Sequence, residues 1–127
     1  MTKKPKSIPF DFVLEQLYSV APVVKPMFGC HAVYVQNKIM LILRDREDFR
    51  RDNGVWIATL PEHHKSLVAI FPSMRTIELF GGSISSWQNL PQDADDFEES
   101  VMTVCTLILK KDPRIGKIPK PRNKKKN

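Results

Sequence analysis

Cysteine is scarce in this sequence. Its 127 residues include only two cysteines, Cys30 and Cys105, which lie far apart along the chain. Two thiols cannot build the disulfide framework of a small secreted scaffold, and their scarcity favours a reducing compartment. The sequence leaves a single bridge between Cys30 and Cys105 possible, because sequence separation alone does not exclude it.

Long apolar runs are also missing. No stretch approaches the ~20 apolar residues that a membrane-spanning helix needs. Lysines at positions 3, 4 and 6 precede no apolar segment, so no signal peptide is expected. With 42% hydrophobic and 27% charged residues, the composition is that of one globular domain. We therefore expect a cytoplasmic protein with no membrane partner.

Positive charge is concentrated at the two ends of the chain. Residues 10–109 hold 8 basic and 13 acidic residues, a formal charge of −5, whereas the two ends together carry +11. Both ends are rich in proline and poor in apolar residues, which is typical of disorder. The sequence predicts a disordered basic segment over 1–9, an α+β domain over 10–112 and a disordered Pro/Lys-rich tail over 113–127.

The tail is where contact with nucleic acid is expected. Its basic residues are Lys117, Lys120, Arg122, Lys124, Lys125 and Lys126. Such a cluster binds phosphates by counterion release, which is salt-sensitive and does not read bases. A tail that only improves solubility is the alternative interpretation.

Apolar periodicity and helix-breaking residues predict eight elements. These are a helix over 10–20, strands over 30–36, 38–44 and 55–60, a helix over 61–71, strands over 74–80 and 84–90, and a last helix from about residue 97 to 110. Residues 25–27 are expected to form an extended lead into the first hairpin. Because the strands follow one another closely, we expect a mainly antiparallel five-stranded sheet in a two-layer α+β fold, in the order α-β-β-β-α-β-β-α.

No residue pattern fixes a reaction. Cys30, His31, His63 and His64 are of the types that bind zinc, but their spacing matches no known site, and neighbours on a strand point to opposite faces. Cys30 with a histidine base is the remaining enzymatic hypothesis. The acidic residues over 93–99 are better explained as partners of a helix N-terminus. Trp87 is a candidate for an exposed binding role, because its predicted strand is short and polar. We predict no catalytic, cofactor or metal-binding residues.

Two segments resemble known families. Met27-Phe28-Gly29, followed by two strands around a short turn, resembles the N-terminal domain of TfoX-type proteins. A strand that runs into a Pro-initiated helix at Pro61, and a later Trp87-bearing strand before a basic-ended helix, resemble the MmcQ/YjbR-like family. Both families share the α-β-β-β-α-β-β-α order of type III secretion chaperones, which allows monomers or homodimers. The resemblance implies a non-enzymatic regulatory or protein-interaction module; a nucleic-acid-associated protein that binds through its basic ends is the alternative.

Overall fold

The computed structural model describes residues 8–79 and 87–118. Three α-helices and six strands make up this part of the chain, together with three short 3-10 helices. In chain order the elements are α1 (Phe12–Gln16), β1 (Val23–Met27), β2 (Cys30–Val35), β3 (Lys38–Arg44), β4 (Gly54–Ala58), α2 (His64–Ile70), β5 (Arg75–Thr76), β6 (Trp87–Pro91) and α3 (Phe97–Leu109). The 3-10 helices are Tyr18–Val20, Arg50–Asp52 and Pro61–His63.

The strands form one antiparallel sheet in the order β1-β2-β3-β4-β6-β5. The α+β class and the antiparallel sheet are confirmed, but the sheet has six strands in place of five. The additional strand is β1, which covers the segment expected to be only a lead into the hairpin. It pairs with β2 through a two-residue turn at Phe28 and Gly29, whose φ angles of +57° and +73° are those of the turns that favour hairpins.

Two other elements are shorter than predicted. The helix expected over 10–20 ends at Gln16, and Tyr18–Val20 continues it as a 3-10 turn that stops at the left-handed residue Ala21. Of the strand expected over 74–80, residues 74–79 are described, and among them only Arg75 and Thr76 pair in the sheet. The strand expected over 84–90 is observed as Trp87–Pro91; its predicted first residues lie outside the described part of the chain.

Each face of the sheet carries a separate apolar core. The first face packs against the helices, and the stripe predicted for α3 is confirmed, since its five members are all buried in this layer: Phe97, Val101, Val104, Cys105 and Ile108. The second face holds Cys30, Ala32, Ile42 and Trp56, and Ile77 packs over it. The sheet is thus covered on both sides, which explains why β3 is apolar without alternation.

The charged segment between β3 and β4 folds back into the protein. Arg44 is 1% exposed and donates to Asn53 Oδ1 at 2.7 Å and to the carbonyl oxygen of Phe49 at 2.9 Å. Asp52 is fully buried, and its Oδ2 accepts from the backbone N–H groups of Glu78 and Leu79. Buried charge of this kind, hydrogen-bonded on several sides, ties the segment to the second face of the sheet.

Residues 113–118, predicted to belong to the tail, pack against the sheet. Ile115 is 2% exposed within the first core layer. Lys117 exchanges two backbone hydrogen bonds of 2.9 Å with Ile39, and the N–H of Gly116 donates to the carbonyl oxygen of Ala58. Burying an isoleucine side chain stabilises a fold by roughly 1.5–3 kcal/mol, so the folded body extends to at least residue 118.

None of the helices in the described residues combines the length and the hydrophobicity that a transmembrane segment requires.

Candidate binding surface

The thiol and imidazole groups considered from the sequence lie at different places. Cys30 faces the second core layer, is 4% exposed and donates from Sγ to the carbonyl oxygen of Phe28 at 3.4 Å. Its neighbour His31 lies on the opposite face, although both border a hollow of about 340 Å³ beside Arg46. His63 and His64 lie where the Pro61–His63 turn passes into α2 and do not line that hollow. Among the described residues, no group of three His, Cys, Asp or Glu side chains could hold a metal ion.

Both thiols are poor nucleophiles in this environment. Burial raises the pKa of Cys30, although the guanidinium groups of Arg44 and Arg46 oppose that shift. Burial also raises the pKa of Cys105 to about 12. A thiol with a raised pKa holds its proton at neutral pH, and the thiolate is the reactive form. Both cysteines are free and lie in different core layers, so no disulfide joins them.

The remaining candidates are ordinary parts of the surface or the core. Glu98 and Glu99 lie in the first turn of α3, where the helix dipole favours acidic side chains. Trp87 is half-buried, with its ring 5.9 Å from that of Trp56 between centroids. Of the basic tail residues, only Lys117 is described. Lys120, Arg122, Lys124, Lys125 and Lys126 lie outside the described residues.

A cleft that the sequence did not indicate opens at one end of the sheet. We call it the terminal cleft; its volume is about 600 Å³, and it lies between the Tyr18–Val20 turn, the β2–β3 hairpin and the C-terminal end of α3. Its apolar floor includes Val35, Met40, Ile108 and Ile115, all at least nine-tenths buried. Lys38 and Lys111 are exposed and line the same cleft. This combination of an apolar floor and a few polar groups is typical of small-molecule sites.

Three chain reversals with left-handed backbone border the terminal cleft. Ala21, Gln36 and Lys111 have φ angles of +55°, +58° and +62°. At Lys111 this conformation ends α3: the N–H of Lys111 donates to the carbonyl oxygen of Ile108, and that of Asp112 to Leu107. This hydrogen-bond pair is the Schellman motif, whose left-handed position usually holds glycine. A side chain there costs of order 1 kcal/mol relative to glycine.

An acidic group beside the lysines is already neutralised. Asp112 accepts from Arg114 Nη2 at 2.7 Å and from Arg114 Nε at 2.9 Å. The hydrogen bonds from Arg114 lower the pKa of Asp112 from 3.8 to about 2. The positive charge of Lys38 and Lys111 is therefore not compensated by this carboxylate, and neither lysine forms an ion pair with another described residue.

Replacing Asp112 with asparagine is expected to destabilise the fold by about 1 kcal/mol at pH 7, after allowance for solvent screening of this partly exposed pair. Because the pKa of Asp112 is lower in the folded than in the unfolded chain, this stabilisation is complete above about pH 4 and is lost as the pH falls through about 2. Urea midpoints of both proteins between pH 7 and pH 2 measure the effect. A difference between the two urea midpoints that stays constant from pH 7 to pH 2 would contradict this prediction.

A second hollow borders the edge strand β1. We call it the edge hollow; its volume is about 550 Å³, and its lining includes Leu14, Tyr18, Pro22 and Val24. Tyr18 is 82% exposed, the largest exposure among the large apolar side chains described. Ser19 and Ala21 line both the edge hollow and the terminal cleft, so the two sites share one wall.

Prolines limit what can pair with the free edge of β1. Met27 and Cys30 are the hydrogen-bonded pair that closes the two-residue turn. In an antiparallel pair the backbone N–H and C=O groups of alternate residues point to opposite sides, so those of Pro26 and Val24 point away from β2. Pro22, two residues before Val24, is the next position on that side. Since proline has no N–H, Val24 provides the one outward donor of the three positions. A second strand therefore cannot form a regular ladder here, which is a known protection of sheet edges.

Comparison with protein-family models, with curated proteins and with solved structures finds no match for this chain. The resemblance to TfoX-type and MmcQ/YjbR-like proteins stays a prediction from the sequence. A functional assignment therefore depends on the two sites described above and on the distribution of charge.

Proposed function

We propose that this chain is a non-enzymatic interaction module that binds a protein partner at the edge hollow. The observation that carries the proposal is the exposure of Tyr18 beside Leu14, Pro22 and Val24. Clustered exposed apolar side chains are a mark of interaction sites, and tyrosine is enriched among the residues that dominate binding energy. The weakly reactive thiols favour this reading over the enzymatic hypothesis for Cys30.

The proline pattern of the β1 edge sharpens the proposal. Pro22 and Pro26 leave Val24 as the one outward donor, so a partner gains little from backbone pairing. Recognition is then expected through side chains, with apolar groups of the partner packed around the ring of Tyr18. Each Å² of apolar surface that such contacts bury contributes about 25 cal/mol of favourable free energy. Truncating the central aromatic residue should therefore remove a large share of the affinity.

The experiment places a photo-cross-linking amino acid at position 18 in the living host, and at position 102 in a control. Met102 is a suitable control because it is 40% exposed, lies on α3 and is not among the residues that line the edge hollow. A protein that is cross-linked from position 18 and not from 102 is then purified. We expect Tyr18→Ser to weaken its binding at least tenfold and Met102→Ser to leave it unchanged. Equal labelling from both positions, or binding indifferent to Tyr18→Ser, would contradict the proposal, as would turnover of a substrate by the purified chain.

A second candidate function is association with nucleic acid through the basic ends, supported by their combined charge of +11 against −5 for residues 10–109. The packing of Ile115 and Lys117 fixes where a clean truncation begins. Removing residues 119–127 deletes five basic side chains and retains every described residue, whereas removing 113–127 also deletes Ile115.

For this candidate we expect the chain without residues 119–127 to bind duplex DNA at least tenfold more weakly at low salt. The slope of log affinity against log salt should become shallower by up to about 4.5, since each phosphate contact contributes about 0.9. Fluorescence anisotropy over a salt series measures both quantities. Replacing the same five residues with glutamine separates charge from length, and a salt-insensitive affinity that survives either change would exclude binding through the tail.

A further inference from the structure

Lys111 occupies a position that is unfavourable for its backbone. It is the left-handed residue of the Schellman motif that ends α3, with φ of +62°, where glycine would be unstrained. Its side chain is exposed and lines the terminal cleft. Strain held by a particular side chain at the border of a cavity points to a role for that side chain.

The charge and the floor of the terminal cleft define what would fit it. Its floor is apolar, through Val35, Met40, Ile108 and Ile115. Its ionised side chains are Lys38, Lys111 and Asp112, and Arg114 binds the carboxylate of Asp112 through two side-chain hydrogen bonds. The net field at the rim therefore favours an anion, while the floor favours an apolar group.

We propose that the terminal cleft binds a small organic carboxylate with an apolar body, whose carboxylate group contacts Lys38 and Lys111. A volume of about 600 Å³ lies within the range of small-molecule sites, and an aliphatic chain suits the apolar floor. An ammonium group on each of two separate elements, the β2–β3 hairpin and the end of α3, can approach one carboxylate from two sides. This inference goes beyond the proposed partner binding at the edge hollow and does not depend on it.

The test uses decanoate below its micelle-forming concentration, with decanol as the neutral ligand of equal length. Saturable binding is followed by displacement of the fluorescent probe 8-anilinonaphthalene-1-sulfonate and by calorimetry. We expect the intact chain to bind decanoate at least tenfold more tightly than decanol. Equal affinity for the two ligands would overturn the proposal, because the lysines would then contribute nothing.

Three variants separate the role of the side chain from that of the backbone. Lys111→Gly is expected to raise the urea midpoint, since it removes the left-handed strain, and to weaken decanoate binding at least fivefold. Lys38→Gln should weaken binding similarly without the gain in stability. Lys110→Gln is the matched control. Lys110 is the exposed neighbour of Lys111 and does not line the cleft, so its replacement removes the same charge outside the site. Decanol binding should be equal in all four proteins.

Two results from these variants would also overturn the assignment. One is a Lys111→Gly variant that is more stable and binds decanoate as the intact chain does, because Lys111 would then have no part in binding. The other is a loss of affinity in Lys110→Gln equal to that in Lys111→Gly, because the effect would then come from overall charge and not from the cleft.

Discussion

Asp52→Asn is expected to destabilise the fold by about 3 kcal/mol, and Asp52→Ala by about 3–5 kcal/mol. The carboxylate is fully buried; its Oδ2 accepts from the N–H groups of Glu78 at 2.8 Å and Leu79 at 2.7 Å, and its Oδ1 from Arg51 Nη1 at 2.8 Å. An asparagine has one acceptor oxygen and, in place of the second oxygen, an NH₂ group that only donates. Whichever way it turns, its amide N–H₂ faces another donor, so at least one buried group loses its partner.

Urea unfolding followed by tryptophan fluorescence measures this loss of stability. Trp56 is a suitable reporter because it is buried and donates from Nε1 to the carbonyl oxygen of Asp52. Asp48→Asn is the matched control. Asp48 lies in the same charged segment, but its side chain is 65% exposed. Its replacement should leave the midpoint unchanged. Similar losses in the two variants would show that the segment is held by its overall charge and not by the buried carboxylate.

Asp52 also marks a limit of sequence reasoning. From the sequence, Arg44 and the residues from Asp45 to Gly54 are expected to form a solvent-exposed loop, because charged residues are rarely buried without partners. The partners of Asp52, however, are backbone groups 26 and 27 residues away, at Glu78 and Leu79. Nothing in the local pattern indicates that contact, so the sequence cannot distinguish a buried carboxylate from an exposed one here.

Elements with strong periodicity were predicted well. The stripe of α3 follows from its apolar spacing, because a helix face needs a regular repeat. The hairpin of β2 and β3 follows from two β-branched and aromatic runs on either side of a polar tip. The sequence pattern does not predict β1, because Pro22, Lys25 and Pro26 disfavour a strand. β1 forms nevertheless because it lies at the edge of the sheet. There the nitrogen of Pro26, which has no hydrogen to donate, faces outward and no ladder hydrogen bond is lost.

The terminal cleft was not predictable in the same way. It needs three distant segments, around residues 19–23, 35–40 and 108–115, to meet at one end of the sheet. Besides Gln36 in the hairpin turn, two left-handed residues form its borders, Ala21 and Lys111, and their identities give no signal of that conformation. A glycine at either position would have indicated a chain reversal, whereas lysine at the end of a predicted helix reads as a partner of the helix dipole.

Gly54→Ala is expected to destabilise the fold by more than about 3 kcal/mol. Gly54 has φ of +147° and begins β4 opposite Pro91 of β6. A Cβ atom there would clash with the carbonyl oxygen of Leu90 and lie 3.0 Å from the backbone nitrogen of Gln92. Both are backbone atoms held in or next to the sheet, so the clash is relieved only by moving β6 away from β4.

Gly29→Ala provides the comparison that isolates this cause. Gly29 has φ of +73°, and a Cβ there would approach Arg46 Nη1, the end of a flexible side chain that can move. We expect a loss of only about 1 kcal/mol, the ordinary cost of a side chain in the left-handed region. Urea midpoints of the two variants give the ratio of their losses in stability. The Asn53-Gly54 pair reads as a turn in the sequence, and a turn glycine would lose stability on the scale of Gly29. A loss at Gly54 several times larger is the expected signature of a glycine that lets two strands approach, and equal losses would refute it.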